Sequence, residues 1–540
     1  MSYEIEKRHR YYLDAESGPH TFQEGGGFRV CLVYPNTYNV GMSNLGLQIN
    51  LAQVSEVAGV TVERAFLPDA DLMNVFGPGR SSLVSLESRR PLSQFHVIAF
   101  SITYEMDYLN VVRILSLAGI EPLKEQRKAG DPLVIAGGAA VTANPFSMEA
   151  LFDLSWIGES EAGVKGFFEA VRDGYGTPNL LDDLARLPHV FVPGQSIYRD
   201  VYGSIQQFEL DDHPAVSRVI TPHTAFSSTA LMEVTRGCKW PCRFCIARTL
   251  YGSARILKAE TILDQARLLR EWTDKIGLFG AGISDYPDLA GLISGLAGEG
   301  FTVNTSSLRF TAMSNELIRA LEMAGQKTLT VAPESFSLKI LKVLAKGLND
   351  AYLHQGLENI IESHIERIKV YHIIGVQGES EEDHHKTLEY LQPYGKRSNN
   401  IQWELGYSIL EPKPHTPFED WDLAEKSAVE QSIKYIRKTM HRIGRVKISY
   451  PSYAEVVTCD WLCRGDSRVG RHVVEALQGD PHAKFRLPRR VYRQDMDEMK
   501  SQGFPWSIFS GSMRDKDQKQ VIAHKAPTPR PASPNLSITH

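Results

Sequence analysis

The sequence has no long apolar run, few cysteines and no excess of basic residues. No stretch approaches the ~20 apolar residues that span a bilayer, and the opening MSYEIEKRHRYYLD is too polar for a signal peptide. Six cysteines in 540 residues are too few for a disulfide framework. The net charge of −5 disfavours a protein built to coat nucleic acid, although a local basic patch would be compatible with it. We therefore expect a protein of the reducing cytoplasm that makes no membrane contact.

Composition and length indicate a folded protein of several domains. Hydrophobic residues make up 42% and charged residues 23% of the chain, as in globular proteins. A chain of 540 residues is too long for one core, so we expect about two to four domains. The ending KAPTPRPASPNLSITH is rich in Pro and Ser and has no periodicity, which predicts that residues 511–540 form a disordered tail.

Residues 27–175 alternate short apolar runs with helical periods. Runs such as FRVCLVYP, HVIAFSIT and DPLVIAGGAA are each bounded by turn residues. This alternation predicts a doubly wound, Rossmann-like parallel sheet, which binds ligands beyond the carboxyl ends of its strands. Those ends are rich in Gly, Asn and Ser, which favours a large polar cofactor. Residues 1–26 form an N-terminal extension, and residues 176–226 have the Pro and Gly punctuation of a hairpin and linker.

The alternation of strands and helices resumes after the linker. Residues 227–420 predict a partial (β/α) barrel, whose strands end in turns that carry Gly or polar residues. Residues 421–510 have helical periods, and the segment AEKSAVEQSIKYIRKTMHRIG should pack against the barrel. We therefore expect an α/β fold with two unlike units in sequence and a helical C-terminal cap.

Three of the six cysteines lie together in TRGCKWPCRFCIARTLYG, at Cys238, Cys242 and Cys245. A disulfide would be strained at this spacing and would leave one thiol unpaired. Structural zinc takes four protein ligands, and no second Cys or His pair lies nearby. A cubane iron–sulfur cluster normally takes four thiolates, so three would leave one iron open for a substrate or cofactor. Plain buried or zinc-binding cysteines are the alternative.

The spacing Cys-x-x-x-Cys-x-aromatic-Cys resembles the radical S-adenosylmethionine (radical SAM) superfamily. The resemblance implies a [4Fe–4S] cluster on the three cysteines, with the amino and carboxylate groups of S-adenosylmethionine on the fourth iron. It places Phe244 against the adenine. It also implies reductive cleavage of the sulfonium to methionine and a 5′-deoxyadenosyl radical, with the electron supplied by a donor such as flavodoxin or ferredoxin.

Four later segments resemble the strand ends that hold S-adenosylmethionine in this superfamily. They are KIGLFGAGISDYPDL, FTVNTSSLRF, the Glu-Ser turn of TLTVAPESF, and the Gly-x-x-Gly-Glu segment of HIIGVQGESEED. Each alone could be an ordinary turn, but they follow the cysteines in the family's order. A buried salt bridge between Glu334 and Arg309 without a chemical role is an alternative for those two. The expected cofactor-binding residues are Gly280, Gly282, Ser284, Asp285, Ser306, Arg309, Glu334, Gly375 and Gly378.

A doubly wound domain directly before such a barrel resembles the cobalamin-binding class of the superfamily, in a bacterial group of unestablished substrate. The run GG…NP…D…IGESE matches that class. Many cobalamin domains have Asp-x-His-x-x-Gly after the first strand, whereas this chain has Asn36-Thr37-Tyr38-Asn39-Val40-Gly41. We expect no histidine ligand to cobalt from this loop, and a domain that has lost the cofactor is the alternative. The expected contacts are Asn36, Tyr38, Gly41, Gly137, Gly138, Asn144, Gly158 and Glu159.

Other features favour simpler interpretations. Cys459 and Cys463 are spaced to share a helical face and to invite an auxiliary cluster, but two thiols without partners are more often plain core or surface cysteines. Cys31 lies within a strand and should be a small buried hydrophobe. The run KFRLPRRVYR has five basic residues in ten, which could meet a polyanion but more often form a solvated face.

The resemblance favours cobalamin-dependent methylation of an unactivated carbon as the reaction. The alternatives are a radical rearrangement or oxidation, or RNA modification, with a cobalamin-free N-terminal domain. A non-catalytic iron–sulfur sensor is the least favoured, because a sensor needs no cradle for adenosine. Some relatives continue into a further C-terminal domain, so a separate protein partner is also expected. The substrate is not readable from the sequence.

Overall fold

The computed structural model describes residues 3–22, 25, 27–77, 79–203, 205, 208–397, 401–477 and 480–507. The tail predicted to be disordered lies outside these residues. Among the residues described, none of the helices combines the length and the apolar character needed to span a bilayer.

The N-terminal domain is built on a six-stranded sheet with the strand order β2-β1-β3-β4-β5-β6. The first five strands are parallel, and β6 runs antiparallel to β5 at the edge. The strands are β1 (Phe28–Tyr34), β2 (Val60–Phe66), β3 (Val97–Ser101), β4 (Leu133–Gly137), β5 (Leu154–Trp156) and β6 (Val190–Phe191). β1 is an almost continuous apolar run because helices cover both faces of the sheet, and Cys31 is fully buried in it as predicted. The doubly wound architecture is therefore confirmed.

Eight helices belong to this half of the described chain. They are α1 (Tyr3–Leu13), α2 (Tyr38–Met42), α3 (Leu45–Ser55), α4 (Tyr108–Leu117), α5 (Ala139–Ala143), α6 (Val164–Gly174), α7 (Leu180–Leu184) and α8 (Tyr198–Gly203). The last two, with β6, lie in residues 176–226. The described part of this linker therefore holds helices and one edge strand instead of the hairpin expected from its Pro and Gly residues.

The second half forms an open barrel from two four-stranded sheets, β10-β9-β7-β8 and β11-β12-β13-β14. All strands are parallel except β8, and a parallel bridge between Leu308 and Val331 joins the two sheets. Among the described residues β8 and β14 do not pair, so the barrel is partial, as predicted. The strands are β7 (Ala230–Arg236), β8 (Arg255–Ile256), β9 (Lys275–Gly280), β10 (Thr302–Thr305), β11 (Thr328–Glu334), β12 (Arg367–Ile374), β13 (Gln402–Ile409) and β14 (Val446–Ser449).

Helices cover the outer face of this barrel. Alternate side chains of β12, such as Ile368 and Val370, are fully buried beneath them, whereas Lys369 and Tyr371 face the other side of the strand and Tyr371 is exposed. Asn349 caps α14 by accepting a hydrogen bond from the backbone N–H of Tyr352, as its position before the helix favours. The helices are α9 (Ala247–Tyr251), α10 (Ala259–Leu269), α11 (Leu289–Gly298), α12 (Asn315–Met323), α13 (Leu338–Leu344), α14 (Asp350–Ile361), α15 (Glu381–Arg397) and α16 (Lys426–Thr439).

The C-terminal region divides its contacts between the two units. α16 packs beside α15, and β14 then adds a strand to the barrel within the region expected to be helical. The last three helices, α17 (Tyr453–Arg464), α18 (Arg468–Leu477) and α19 (Arg489–Gln502), belong to the core of the N-terminal domain. There Trp461, Val473 and Trp506 are packed in one apolar cluster with Val111 and Ile114 of α4. The cap therefore closes over the N-terminal domain more than over the barrel.

Candidate functional site

The three cysteines lie in the loop that follows β7. Gly237 begins this loop with a φ of 77°, and a side chain there would overlap the carbonyl oxygens of Gly252 and Ser253. Glycine is required because the chain turns sharply while it lies against the backbone that follows α9. Cys238, Cys242 and Cys245 follow and are all partly buried. The TRGC sequence therefore sets the position of the first thiol.

The loop thiols have the chemistry to bind a cluster. Burial raises the pKa of Cys238, and raises that of Cys245 to about 11, so binding iron displaces protons from these sulfurs. Within the described residues, no three His, Cys, Asp or Glu side chains are grouped to hold a single metal ion. A cubane is compatible with this arrangement, because each cysteine binds a different iron and the thiols can lie further apart. Soft sulfur donors around an open loop fit an iron–sulfur cluster.

Arg309, predicted to contact S-adenosylmethionine, lies beside the loop. Its Nη1 is 3.8 Å from the Sγ of Cys242, and its guanidinium lies 3.9 Å from the ring centre of Trp240. Its backbone N–H donates to the Oγ of Ser284 at 2.8 Å. Ser284, another predicted cofactor contact, is therefore held against the backbone of Arg309, and the positive charge of Arg309 lies beside the thiol of Cys242.

Asp285 and the glycines of the next strand also meet the loop. The Asp285 carboxylate accepts from Nε1 of Trp240 at 2.6 Å and pairs with Lys239 at 2.8 Å. A side chain at Gly280 would overlap Thr235 of β7, and the N–H of Gly282 donates to the Thr235 Oγ1 at 3.2 Å. These residues therefore pack the end of β9 against the strand that carries the cysteines. The backbone N–H of Ser306 donates to the carbonyl of Leu278 in β9 at 3.0 Å.

Glu334 ends β11 in an unusual conformation. Its φ is 69°, which is rare for a residue with a side chain and marks local strain. Its carboxylate pairs with Nζ of Lys346 at 2.9 Å, and both side chains are largely buried. Burial raises the pKa of Glu334, and the nearby ammonium opposes that rise. Among the described residues the ion pair is therefore with Lys346, and the salt bridge to Arg309 considered from the sequence is not formed.

Lys346 is a site residue that the sequence did not indicate. Its backbone carbonyl accepts a hydrogen bond from Nη2 of Arg309, and its ammonium lies 5.7 Å from the ring centre of Phe244. It therefore connects Glu334 to the cysteine loop. No motif marks it, because it lies after α13, twelve residues beyond Glu334.

Phe244 lies among apolar side chains at the ends of β12 and β13. The cluster contains Ile373 and Val376, which flank Gly375. Gly375 and Gly378 have φ values of 80° and 81°, so both turns need glycine. The place where the family resemblance puts the adenine is thus apolar and bounded by a glycine turn.

The glycine turn is held by Glu379, whose Oε2 accepts from the backbone N–H of Gly375 at 2.6 Å. Burial raises the pKa of Glu379 to about 7. The pKa of this carboxyl is higher in the folded than in the unfolded protein. Such a carboxyl lowers the stability of the fold as the pH rises from the unfolded-state pKa to the folded-state pKa. We expect Glu379→Gln to be as stable as the wild type near pH 5, and more stable at pH 8 by up to about 3 kcal/mol. Thermal melts at the two pH values measure this.

The control for this prediction is Glu389→Gln on the exposed face of α15. Lys386 holds the pKa of that carboxyl below its usual range, and an exposed pair contributes little. Its melting temperature should therefore change little, and in the opposite direction. A stability gain in Glu379→Gln that is equal at pH 5 and pH 8 would contradict the assignment of the proton.

A cavity of about 280 Å³ lies at the carboxyl edge of the N-terminal sheet, where it meets the barrel. Apolar side chains of the sheet and of α6, including Ile135 and Phe167, form its inner part. Of the predicted cobalamin contacts, Gly137, Gly138, Gly158 and Glu159 line it. Its wall towards the barrel is formed by Glu233, Arg236, Leu250, Tyr251 and Phe279.

The other four predicted cobalamin contacts are used within the protein. Asn36 donates to Asp107 at 2.7 Å, and Tyr38 donates to Glu16 at 2.5 Å while its ring stacks on Tyr12. A side chain at Gly41 would overlap Phe66. Asn144 donates to the carbonyls that end α17. None of the described residues lining the cavity is a histidine.

A buried network of charges joins the two units beside this cavity. Arg236, the last residue of β7, binds Glu159 at 2.7 Å, Glu161 at 2.8 Å and Glu233 at 2.6 Å. Arg255 of β8 also pairs with Glu159. The Glu159 carboxylate is therefore fully engaged by arginines, although it lines the cavity. Because Arg236 precedes Gly237, the network fixes the start of the cysteine loop to the N-terminal domain.

Cys459 and Cys463 are both buried on α17. Beside them the Lys413 ammonium pairs with Glu105 at 3.0 Å and Glu411 at 3.3 Å, and the Cys459 Sγ lies 3.9 Å from Glu105. The Lys413 ammonium therefore already lies between Glu105 and Glu411, the carboxylates that could otherwise complete a metal site with the two thiols. This arrangement favours two plain buried thiols, and burial raises the pKa of both.

Comparison with known families gives two matches. Residues 46–193 match the family described as "Radical SAM proteins, N-terminal", and residues 232–391 match the "Radical SAM superfamily". An uncharacterised protein of Methanocaldococcus jannaschii is 24% identical over 82% of this chain and 90% of its own length. The bacteriochlorophyllide d C-12(1)-methyltransferase of Chlorobaculum tepidum is 26% identical over 37% of this chain and 44% of its own length.

A solved structure has the same overall fold. It is the radical S-adenosylmethionine methyltransferase TsrM from Kitasatospora setae, described with cobalamin and a [4Fe–4S] cluster bound. The TM-score is 0.50 with 14% sequence identity, over 72% of this chain and 76% of the other. The fold and the family matches together define a radical SAM protein. This chain belongs to that superfamily, and its residues 46–193 match the superfamily's N-terminal domain.

Proposed function

We propose that this protein reductively cleaves S-adenosylmethionine at a [4Fe–4S] cluster and uses the radical for cobalamin-dependent methylation of an unactivated carbon. The observation that carries this proposal is the cavity between the domains. The N-terminal cavity is closed on one side by Leu250 and Tyr251, which follow the third cysteine by five and six residues. A ligand of the B12-type domain would therefore lie beside the cysteine loop.

Cys238, Cys242 and Cys245 would hold the cluster. When bound, the cluster and S-adenosylmethionine supply an electron and a sulfonium, whose cleavage yields methionine and a 5′-deoxyadenosyl radical. The residues of the chain position these groups. Asp285, Arg309 and Glu334 supply polar contacts at three strand ends, and the apolar surroundings of Phe244 exclude water from the adenine side. Exclusion of water and stray C–H bonds matters because a primary carbon radical abstracts hydrogen readily.

The cavity fits one part of cobalamin. Its volume of about 280 Å³ is near the lower end for ligand pockets and suits a flat nucleotide tail between the sheet and α6. Gly138 supports this fit, since its φ of 112° and its contact with Ile102 leave no room for a side chain on that wall. When bound, cobalamin supplies a transferable methyl group.

The methyltransferase relatives support methylation as the reaction class. Besides the bacteriochlorophyllide enzyme, the hopanoid C-3 methylase of Methylococcus capsulatus is 34% identical over 23% of this chain. Synthases of 2-methylthio-N(6)-dimethylallyladenosine in tRNA also match parts of the chain, at 24% identity in Thermus thermophilus. RNA modification is thus the second reaction class to test.

The test is the cofactor content of protein purified without oxygen from cells supplied with cobalamin. Iron, sulfide and cobalt are counted, and 5′-deoxyadenosine formation is assayed on the same sample with a chemical reductant. We expect about four irons, tightly held cobalt and reductive cleavage. Iron and cleavage without cobalt would contradict the methylation proposal and favour the cobalamin-free reactions. Protein without oxygen-labile iron would overturn the whole proposal.

A further inference from the structure

A basic, partly apolar surface lies over the cysteine loop. The backbone N–H of Arg243, next to Cys242, donates to the carbonyl of Leu344 at 3.0 Å. Its Nη1 donates to the carbonyl of Val343 at 3.1 Å. These bonds hold the end of α13 against the loop. We call the surface formed by Lys239, Trp240, Arg243, Leu338 and Lys342 the loop-face patch.

The loop-face patch is exposed and positively charged. The Lys239 side chain is 58% exposed, Leu338 is 45% exposed, and Lys342 is also exposed. Lys239 pairs with Asp285. Among the described residues, no carboxylate lies within ion-pair distance of Arg243 or Lys342. Arg243, which lies between two of the cysteines in the sequence, and Lys342 therefore present positive charge on this surface without a paired carboxylate among the described residues.

The charge of this surface contrasts with that of the whole chain. The protein carries a net charge of −5, so an acidic partner is repelled by the molecule on average and attracted only where positive charge is concentrated. An exposed leucine and a partly exposed tryptophan on the same surface as these charges suit a protein partner, because the charges steer the encounter and the apolar side chains are buried on binding.

We propose that the loop-face patch docks an acidic one-electron donor protein that reduces the cluster. The inference rests on the proposed function, since it needs the cluster on the three cysteines. The donor is oxidised by one electron and the cluster is reduced by one electron, and no bond or proton changes place. Arg243 and Lys342 provide the electrostatic attraction, and Trp240 and Leu338 provide the apolar contact.

The test compares two lysines that occupy equivalent positions in their helices. Lys342 lies in the last turn of α13, and Lys438 lies in the last turn of α16, where it is also exposed. α16 runs back from the carboxyl end of β13 to the start of β14, so Lys438 lies at the opposite end of the barrel. Replacing either lysine by Glu removes the same favourable interaction with a helix dipole, about 0.3–1 kcal/mol. A difference between the two variants in donor binding or in cluster reduction is therefore due to where the substituted charge lies on the protein.

Binding of a reduced or oxidised flavodoxin to the full chain is measured first, by calorimetry at low salt. We expect Lys342→Glu to raise the Kd about fivefold or more, and Lys438→Glu to change it by less than about twofold. The difference should disappear at about 0.5 M salt, where charges are screened within a few ångströms. Equal affinities for Lys342→Glu and the wild type would overturn the docking surface.

The rate of cluster reduction is measured next, with reconstituted protein and two reductants. Flavodoxin should reduce Lys342→Glu about five- to tenfold more slowly than the wild type. Reduced methyl viologen, a small cation that a basic surface repels, should reduce Lys342→Glu at least as fast as the wild type. A slower reaction with both reductants would overturn the docking surface in favour of a damaged site. A wild-type protein that forms no cluster would overturn the proposed function, and the inference with it.

Discussion

Replacement of Cys245 by Ala is expected to abolish formation of 5′-deoxyadenosine, by a factor of at least about 100. Cys245 is one of three thiols that would hold the cluster, and alanine has no donor atom for iron. Burial raises its pKa to about 11, so iron alone makes the thiolate the dominant form at neutral pH. The measurement is the iron content and the cleavage product of anaerobically purified protein, scaled to folded protein by circular dichroism.

Cys459→Ala is the matched control for this substitution. Cys459 is buried in α17 next to Glu105 and Lys413 and would hold no iron. The control should keep its iron and cleave S-adenosylmethionine at close to the wild-type rate. Equal iron loss in the two variants would contradict the assignment of the cluster to the loop after β7.

Arg236→Met should cause the largest loss of stability, about 3–5 kcal/mol at pH 8. Among the described residues, the substitution leaves Glu159, Glu161 and Glu233 buried with Arg255 as the one cationic partner. Methionine fills similar space, so the main loss is electrostatic. Burial already raises the pKa of Glu233 in the presence of Arg236. A carboxyl with a raised folded pKa weakens the fold above its unfolded pKa, so the deficit should shrink as the pH falls from 8 to 5.

Thermal melts across this pH range measure the deficit, with Arg267→Met as the control. Arg267 also contacts two carboxylates, Glu299 and Asp264, but the Arg267 and Asp264 side chains are exposed and that of Glu299 is partly exposed. An exposed network of this kind contributes little to stability. A deficit in Arg236→Met that is no larger than that of the control, or that is independent of pH, would contradict the buried network.

The sequence predicted the parts of the site that depend on local spacing. The three cysteines lie in one loop after β7, and Gly237 makes the turn, because a motif of neighbouring residues depends only on the local backbone. The contact of Phe244 with the adenine stays a prediction. Contacts between distant positions were not predictable. The side chains of Arg236 and Glu159 are 77 residues apart, and Lys346 reaches Glu334 only because α13 folds back.

For the fold, too, the sequence predicted features that depend on neighbouring residues and did not predict contacts between distant ones. Alternating strands and helices predicted the parallel sheets of both units. β14 is a strand of four residues, which is too short for its apolar periodicity to be recognised. The helical periods of residues 421–510 predicted the helices α17 to α19. They carried no information about which unit these helices would pack against, because apolar burial is non-directional. The packing of these helices on the N-terminal domain is therefore visible only in the structure.

This packing has a consequence for synthesis on the ribosome. The core around α4 is completed by Trp461 and Trp506, so the first domain to emerge is missing part of its interior until almost the whole chain is made. Domains generally fold as units from the N-terminus, and an incomplete core exposes apolar surface. We expect the nascent N-terminal sheet to remain only partly folded while the barrel is translated. Truncation before residue 453 should therefore yield aggregates that retain no soluble N-terminal domain.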